Sequence, residues 1–398
     1  MSPSDEALSV VRIACIHQGY ELYGSDRSFV ETVMTLRNAY PSAEVEVVLP
    51  RDGPIVAALR PFATVIRFEP LFVLRRRGLA AQLLAAPVRL PLALCRAARR
   101  LARSDLVYVN TVVVLDHILA ARLAPNRAVL HIHEIPEGRA RAVFRALLAW
   151  SRARIVFNSN ATRAAYDLPA GARARVVYNG IADPGPPAGA AYDGERPLRV
   201  LMLGRISRIK GQEVLVEALA LLPEAVRRRV ELRIVGNAFE DAERERALAA
   251  LVAARNLTAE VTLSPFVPDP SDHYRWADIV AVPSRRPESL GRVAIEAMAF
   301  GRPPVVSAIG GLTEVVADRE TGWIVPPDRP EALAEVLEEA VTQPAAWRDF
   351  RAAGRRRYER LFSATAVATA IAGVAAEVLG AAPAGTAARA PIAAEAGR

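Results

Sequence analysis

The chain reads as an α/β protein built from two doubly wound domains. Three observations predict this. Short β-rich runs alternate with longer helical patterns, the alternation occurs as two series separated by a Pro/Gly-rich stretch, and 398 residues are too many for one ordinary core. Repeated β-then-α units imply parallel sheets with helices on both faces. Ligands of such sheets bind beyond the carboxyl ends of the strands, so two domains facing a cleft are expected.

In the first series the strand candidates are Ser9–Ile16, Glu44–Leu49, Leu106–Asn110, Val129–His133 and Ile155–Asn158, with Val176–Tyr178 as a further short strand. Ser28–Ala39 and Arg139–Trp150 carry helical patterns. Asp183 to Gly189 is a linker by composition. The second series has strand candidates Leu198–Leu203, Val230–Val235, Val261–Leu263, Ile279–Val282, Pro304–Ser307 and Gly322–Val325. Glu213–Leu222 and Ala242–Arg255 fill gaps between them as helices, and Glu331–Val341 and Phe362–Leu379 read as closing helices. The expected division is a first domain over 1–187, a second over 188–362, a closing helix over 363–380, and a disordered Ala/Pro/Gly-rich tail over 381–398.

The bulk numbers narrow the function. Hydrophobic content of 52% with 24% charged residues describes a soluble, enzyme-like protein. A net charge of +8 suggests an anionic partner: a phosphate compound, a membrane surface or nucleic acid. No nucleic-acid reader motif accompanies that charge. Asp5 and Glu6 precede only a short apolar run, which is not the layout of a signal peptide. Gly78–Cys95, the most apolar long region, is interrupted by Pro87, Arg89 and Pro91 and does not read as a spanning helix. Cys15 and Cys95 lie far apart in apolar stretches, so small core thiols in a reducing cytoplasm are expected.

Lys210 is the only lysine, although the chain holds 51 basic residues. It stands in Leu203-Gly204-Arg205-Ile206-Ser207-Arg208-Ile209-Lys210-Gly211, after an apolar run and before a helical stretch. A compact ammonium acts as a point charge and can sit deep beside a phosphate, where a planar guanidinium fits differently. The plain alternative is coding drift that left one lysine behind.

The sharpest constellation runs from Pro283 to Ala299 and holds Glu288 and Glu296, eight residues apart. On one helix they would lie about 80° apart around the axis. Pro287 and Gly291 instead place Glu288 in a loop, with a helix starting near Ser289–Gly291 and Glu296 two turns inside it. Free N–H groups at that helix start can hold a phosphate, with a carboxylate on either side for hydroxyls. The plain alternative is a capping glutamate and a solvated one.

These residues resemble the E-x7-E motif of glycosyltransferase family 4, in the retaining GT-B superfamily. The resemblance continues through Phe300–Ser307, Gly310–Val316 and Thr321–Pro327, and upstream through Gly204-Arg205 with Lys210-Gly211, so it covers roughly Leu198 to Val341. It implies a GT-B fold and transfer of a sugar from a nucleotide diphosphate sugar to an acceptor hydroxyl. Arg205 and Lys210 would neutralise the leaving diphosphate, mostly in the transition state. The backbone N–H groups of Ser289, Leu290 and Gly291 would assist. Glu288 would bind hydroxyls of the transferred sugar and Glu296 those of the ribose. The base would lie near Phe266 and Val267, although Pro265 replaces the glycine usual there.

The first domain matches more loosely. Gly24-Ser25-Asp26-Arg27 resembles the family's glycine loop, nearer Gly-Gly-Ala-Glu-Arg, which would bring Gly24 to the donor phosphate; a plain turn is the alternative. His133, at a strand end, matches the family's active-site histidine lining the sugar pocket, and His131 reads as a core histidine. Asn179-Gly180 matches a family pair and reads as a tight hinge turn. No Asp-x-Asp pair is present, so a metal-independent reaction without a cofactor is expected.

Arg75-Arg76-Arg77 opens a basic, apolar-rich stretch that includes Leu83, Leu84, Arg89, Leu92, Arg96, Arg99, Arg100 and Arg103. It suits either peripheral contact with an anionic membrane or a surface helix with solvated arginines. The partners expected are therefore a nucleotide-sugar donor, a glycan, glycolipid or small-molecule acceptor, and an inner membrane face, for a cytoplasmic enzyme of cell-surface polysaccharide or glycolipid synthesis. Two rival classes share the architecture: a nucleotide-sugar epimerase, which needs no acceptor, and a non-catalytic sugar-nucleotide binder. A dehydrogenase is disfavoured because no G-x-G-x-x-G follows a strand.

Overall fold

The computed structural model describes residues 10–21, 24–73, 79–187, 189, 191–238 and 241–384. The chain divides into two compact units. Among the described residues, one holds 10–158, 162–180 and 365–384; the other holds 159–161 and 181–364.

The first unit runs β1 (Arg12–Ile16), α1 (Gly24–Ala39), β2 (Glu44–Leu49), α2 (Ile55–Leu59), β3 (Val65–Phe68), α3 (Leu79–Arg103) and β4 (Leu106–Val109). It continues through α4 (Leu115–Ala121), β5 (Ala128–Ile132), α5 (Arg139–Ser151), β6 (Arg154–Phe157), α6 (Asn160–Tyr166, whose first two residues group with the second unit) and β7 (Ala174–Val176). The seven strands form one parallel sheet in the order β3-β2-β1-β4-β5-β6-β7. The central strands are apolar and buried on both faces, as helix-covered parallel strands must be.

The second unit runs β8 (Leu198–Leu203), α7 (Gln212–Leu221), α8 (Glu224–Arg227), β9 (Val230–Val235), α9 (Ala242–Ala254), β10 (Val261–Ser264), α10 (Ser271–Trp276) and β11 (Ile279–Val282). Then follow α11 (Arg292–Ala299), β12 (Pro304–Ser307), α12 (Leu312–Val315), β13 (Trp323–Val325), α13 (Pro330–Thr342) and α14 (Phe350–Leu361). Its six strands are parallel, in the order β10-β9-β8-β11-β12-β13. Trp323 anchors its core, with the rings of Trp347 and Phe350 edge-on at 5.7 and 5.1 Å. In both sheets chain order reverses beside the first strand, which creates a crevice at the carboxyl ends of β1 and β4, and of β8 and β11.

The final helix, α15 (Ala364–Leu379), packs into the first unit: Ile371, Ala372, Val374 and Ala375 join a core cluster with Ile13, Phe29 and Val156. Its Glu377 pairs with Arg154 and Arg175 of β6 and β7, at 2.8 and 2.6 Å. Residues 181–187, expected with the first domain, fall in the second unit. The reason is local: the Ile181 N–H donates to the Phe362 carbonyl, the Tyr358 hydroxyl to the Ile181 carbonyl, and Arg355 pairs with Asp183.

Three expectations are corrected. Pro87 and Pro91 do not interrupt α3, which is one helix across both. Both prolines sit on its solvent face, where water can reach the carbonyls they leave unbonded, while Ala93, Ala97 and Leu101 pack inward. Cys95 is exposed on that outer face; only Cys15 is a core thiol, and burial pushes it up to about 12. The last strand of the first sheet lies at Ala174–Val176, slightly before its expected place. Arg75–Arg77 and the tail from 385 lie outside the described residues, as do Asp5 and Glu6. Among the described residues no helix is long and apolar enough to cross a membrane.

Candidate functional site

In the second unit the polar groups gather at the carboxyl ends of β8, β9 and β11. The Leu198–Leu203 run ends at Gly204, and the loop to α7 carries Arg205 and Lys210. The side chain of buried Gln212 braces this loop, donating to the Arg205 carbonyl at 3.1 Å and accepting from the Ser207 N–H at 3.4 Å. Gly211 has φ +76°, and a Cβ there would lie 2.0 Å from the Pro283 carbonyl oxygen, so only glycine lets this loop reach the one after β11.

That approach brings the two expected loops together. The Lys210 ammonium donates to Oε1 of Glu288 at 2.8 Å, and the Ser284 hydroxyl donates to the same oxygen. Both charged partners are only partly exposed. Glu288 lies in the loop before α11, and its backbone is pinned to the Gly310-Gly311 turn by a parallel bridge and by the Gly311 N–H donating to the Glu288 carbonyl at 2.8 Å. Gly310 has φ +60°, with its Cβ direction 2.4 Å from that carbonyl.

Helix α11 begins at Arg292 with Gly291 at its cap. In its first turn the Ala294 N–H bonds back to the Gly291 carbonyl at 3.1 Å. Glu296 lies about one turn into α11, not two, because the helix starts later than the spacing suggests. Its carboxylate has partners of its own: the Tyr274 hydroxyl donates to Oε2 at 2.6 Å and Arg292 to Oε1 at 2.8 Å. Burial and then the Glu296 charge push the Tyr274 phenol well above its ordinary value, so it stays a donor. Phe266 is exposed, and its N–H donates to Oδ1 of Asn237 at 2.7 Å. The Asn237 carbonyl accepts from Ile206, which ties the loop of Phe266 and Val267 to the loop of Lys210.

The first unit carries a second cluster, also where its sheet order reverses. Gly24 is exposed at the start of α1, with open space where a Cβ would lie. Asp26, two residues on, is buried and meets Nε2 of His17 at 2.8 Å. His17 follows β1 directly, stacks on Phe29 and places Nδ1 3.2 Å from the Asn110 carbonyl. Asn110 follows β4 and presents Oδ1 to Nε2 of His133 at 2.9 Å. His133 follows β5, with the His131 ring centroid 4.0 Å away. Burial, then His131 and His17, holds His133 well below its ordinary range, with Asn179 acting in the opposite direction. His131 is a core residue beneath it, bonded to the Tyr108 hydroxyl at 2.7 Å and lowered to about 3 by burial.

Glu134 accepts from the Thr111 hydroxyl and from the N–H groups of Val112 and His133. Burial nevertheless raises its carboxyl above the ordinary value. Among the described residues no group of three His, Cys, Asp or Glu side chains is arranged to hold a metal ion.

Sequence reasoning missed Ser284, Gln212, Asn237, Tyr274 and Arg292 in the second unit, and His17, Asp26 and Asn110 in the first. One signal could have found His17 and Asn110: each is the polar residue immediately after a strand at the reversal point.

Residues 193–357 match the family model described as Glycosyl transferases group 1. A D-inositol 3-phosphate glycosyltransferase of Jonesia denitrificans is 31% identical over 281 residues, 65% of this chain and 63% of that protein. One from Kineococcus radiotolerans is 33% identical over 286 residues, 65% of either chain. The match to each thus spans just under two thirds of the relative's length. The Anabaena HepE structure, solved with UDP and glucose, aligns over 92% of this chain and 99% of its own at 22% identity, with a TM-score of 0.73. The chain therefore has the GT-B fold, two Rossmann-like domains, and its second unit carries the segment that matches the group 1 glycosyl transferases.

Proposed function

We propose that this protein is a retaining glycosyltransferase of family 4 type, moving a sugar from a nucleotide diphosphate sugar to an acceptor hydroxyl. The observation that carries the reading is the contact of the sole lysine with Glu288 at the carboxyl end of the second sheet. In the reaction the anomeric C–O bond to phosphate breaks, a C–O bond to the acceptor forms, and the acceptor proton passes to the leaving phosphate oxygen. Charge develops on the diphosphate, where Lys210 and Arg205 act without any metal. The N–H groups of Ser289, Leu290 and Gly291 add to that field. Glu288 takes sugar hydroxyls, Glu296 the ribose, and the Phe266–Val267 loop the base. Gly24 approaches the diphosphate, and His133 lines the sugar pocket.

UDP is the first nucleotide to try, since HepE was solved with it. The acceptor is a glycan, a glycolipid or a phosphorylated polyol; the last is suggested by the names of the inositol phosphate relatives. The assay is transfer from a panel of nucleotide sugars, beside a thermal-shift panel of nucleoside diphosphates. A ligand at a hundred times its Kd stabilises the folded state by about 2.7 kcal/mol. Transfer that survives in Lys210→Ala would reject the reading, and product formed without an acceptor would favour an epimerase.

We further propose that the enzyme works at an anionic membrane surface, in polysaccharide or glycolipid synthesis. What supports this is the outward face of α3. Leu84, Val88 and Leu92 are 83%, 69% and 57% exposed on successive turns, and the helix holds five arginines and no acid. Flotation with anionic and neutral vesicles tests it; equal recovery of wild type and Leu84→Glu/Val88→Glu would remove it.

A further inference from the structure

The buried amide of Asn110 fixes a proton. Its N–H is bonded to the Ile16 carbonyl at 3.0 Å, which anchors it beside β1, and His17 directs Nε2 at the Asp26 carboxylate at 2.8 Å, which puts the ring hydrogen there and leaves Nδ1 an acceptor. The side-chain orientation follows from its neighbours. Nδ2 faces the Ser25 carbonyl at 3.4 Å and Nδ1 of His17 at the same distance, both positions suited to an N–H donor. That leaves Oδ1 directed at Nε2 of His133, 2.9 Å away. An amide oxygen only accepts, so Nε2 must carry the hydrogen.

The groups facing the His133 ring are His131, His17, Asn110 and Asn179, and the adjacent Glu134 takes the His133 backbone N–H. Burial and the two imidazoles keep the ring neutral at physiological pH. A neutral ring with its proton on Nε2 has a bare lone pair on Nδ1. In the structure that atom is buried and makes no hydrogen bond of good geometry; the side chain it faces is Asn179, whose Oδ1 makes none either. Two unsatisfied buried acceptors on neighbouring side chains call for a ligand that brings a donor, such as a hydroxyl.

We propose that Asn110 is a positioning residue that locks His133 in the Nε2–H tautomer, so that His133 accepts, and does not donate, a hydrogen bond from a ligand hydroxyl. The catalytic consequence rests on the transferase reading; the tautomer does not. Asp26, through His17, holds Asn110 in register and gives the departure from the usual glycine-loop sequence a role.

Long-range ¹⁵N–¹H correlation spectra of the full chain with ¹⁵N-labelled histidine test this, with His133 assigned by the signal lost in His133→Gln. The wild type should show pyrrole-type Nε2 and pyridine-type Nδ1, unchanged from about pH 5.5 to pH 8. A proton on Nδ1, or an imidazolium at neutral pH, would overturn the proposal, and this reading requires no variant of Asn110. In Asn110→Asp the new carboxylate should favour an imidazolium near neutrality. Turnover should fall at least ~10-fold while KM for the nucleotide sugar stays within about threefold. An Asn110→Asp protein with an unaltered His133 spectrum overturns the proposal too. Absence of transfer from every nucleotide sugar, together with the Nε2–H spectrum, would sink the transferase reading and leave the tautomer standing.

Discussion

The two polar clusters solve the same topological problem with opposite chemistry. In the second unit the groups are ionic and mutually engaged: Lys210 with Glu288, and Arg292 and Tyr274 with Glu296. In the first unit the central groups are buried imidazoles and an amide, and two acceptors have no donor. A ligand entering the first kind of site must compete for partners that are already taken. A ligand entering the second supplies what is missing. Charge in the second unit suits a diphosphate, and unfilled acceptors in the first suit hydroxyl-rich chemistry.

The most severe way to break this contrast is Lys210→Ala. It removes the cation and strands Glu288, and turnover is expected to fall by about 10²–10³, the usual scale for losing one charge-stabilising donor. Lys210→Arg sharpens the point. A planar fork should not replace the compact ammonium, so this variant should also lose most activity in a transfer assay.

Glu288→Ala should rank next. Turnover is expected to drop by roughly 10- to 100-fold, while calorimetry finds nucleoside diphosphate affinity within about threefold of wild type. An equal loss of both would place Glu288 on the nucleotide.

Glu296 needs a paired experiment, because it holds a buried phenol as well as any ligand. Glu296→Ala should weaken nucleoside diphosphate binding and lower stability by about 1–3 kcal/mol, the cost of an unpaired buried donor. Tyr274→Phe removes that donor without touching the carboxylate and should bind like wild type. Matching binding defects in the two variants would make the role of Glu296 structural.

The gentlest probe is acid. His131 and His133 have folded values below those of the unfolded chain, so the unfolded state binds more protons once pH falls below about 6.5. Their stabilising contribution is complete above that pH and is lost progressively down to about 3 for His131. The slope is at most about 1.4 kcal/mol per pH unit for each histidine. Denaturant melts of wild type and His131→Phe between pH 7 and pH 4 should differ in slope, and parallel curves would refute the assignment.

The second unit was the more legible in sequence. All six of its strands lie within a residue of their expected bounds, because each is a short β-rich segment, apolar throughout or on alternate residues, between turn residues. Glu288, Lys210 and the Gly310-Gly311 turn each stand in a short local motif, although Lys210 and Glu288 lie 78 residues apart. The first unit hid more. Val65–Phe68 was missed because an edge strand with one exposed arginine has no apolar run to betray it. The partnership of Asp26, His17 and Asn110 spans 93 residues, and only the sheet order brings them together. In α3 the reading failed for a different reason: proline signals a break in isolation, but packing and solvent access outweighed it.

The return of α15 to the N-terminal core has a consequence for biosynthesis. The ribosome finishes Gly180 about 190 residues before it reaches Ile371, which at ordinary translation rates is about 10–40 s. Throughout that interval the nascent first unit lacks the wedge that covers Ile13, Phe29 and Val156. Its apolar flank is then open to chaperones, or to a neighbouring nascent chain, until α15 has emerged.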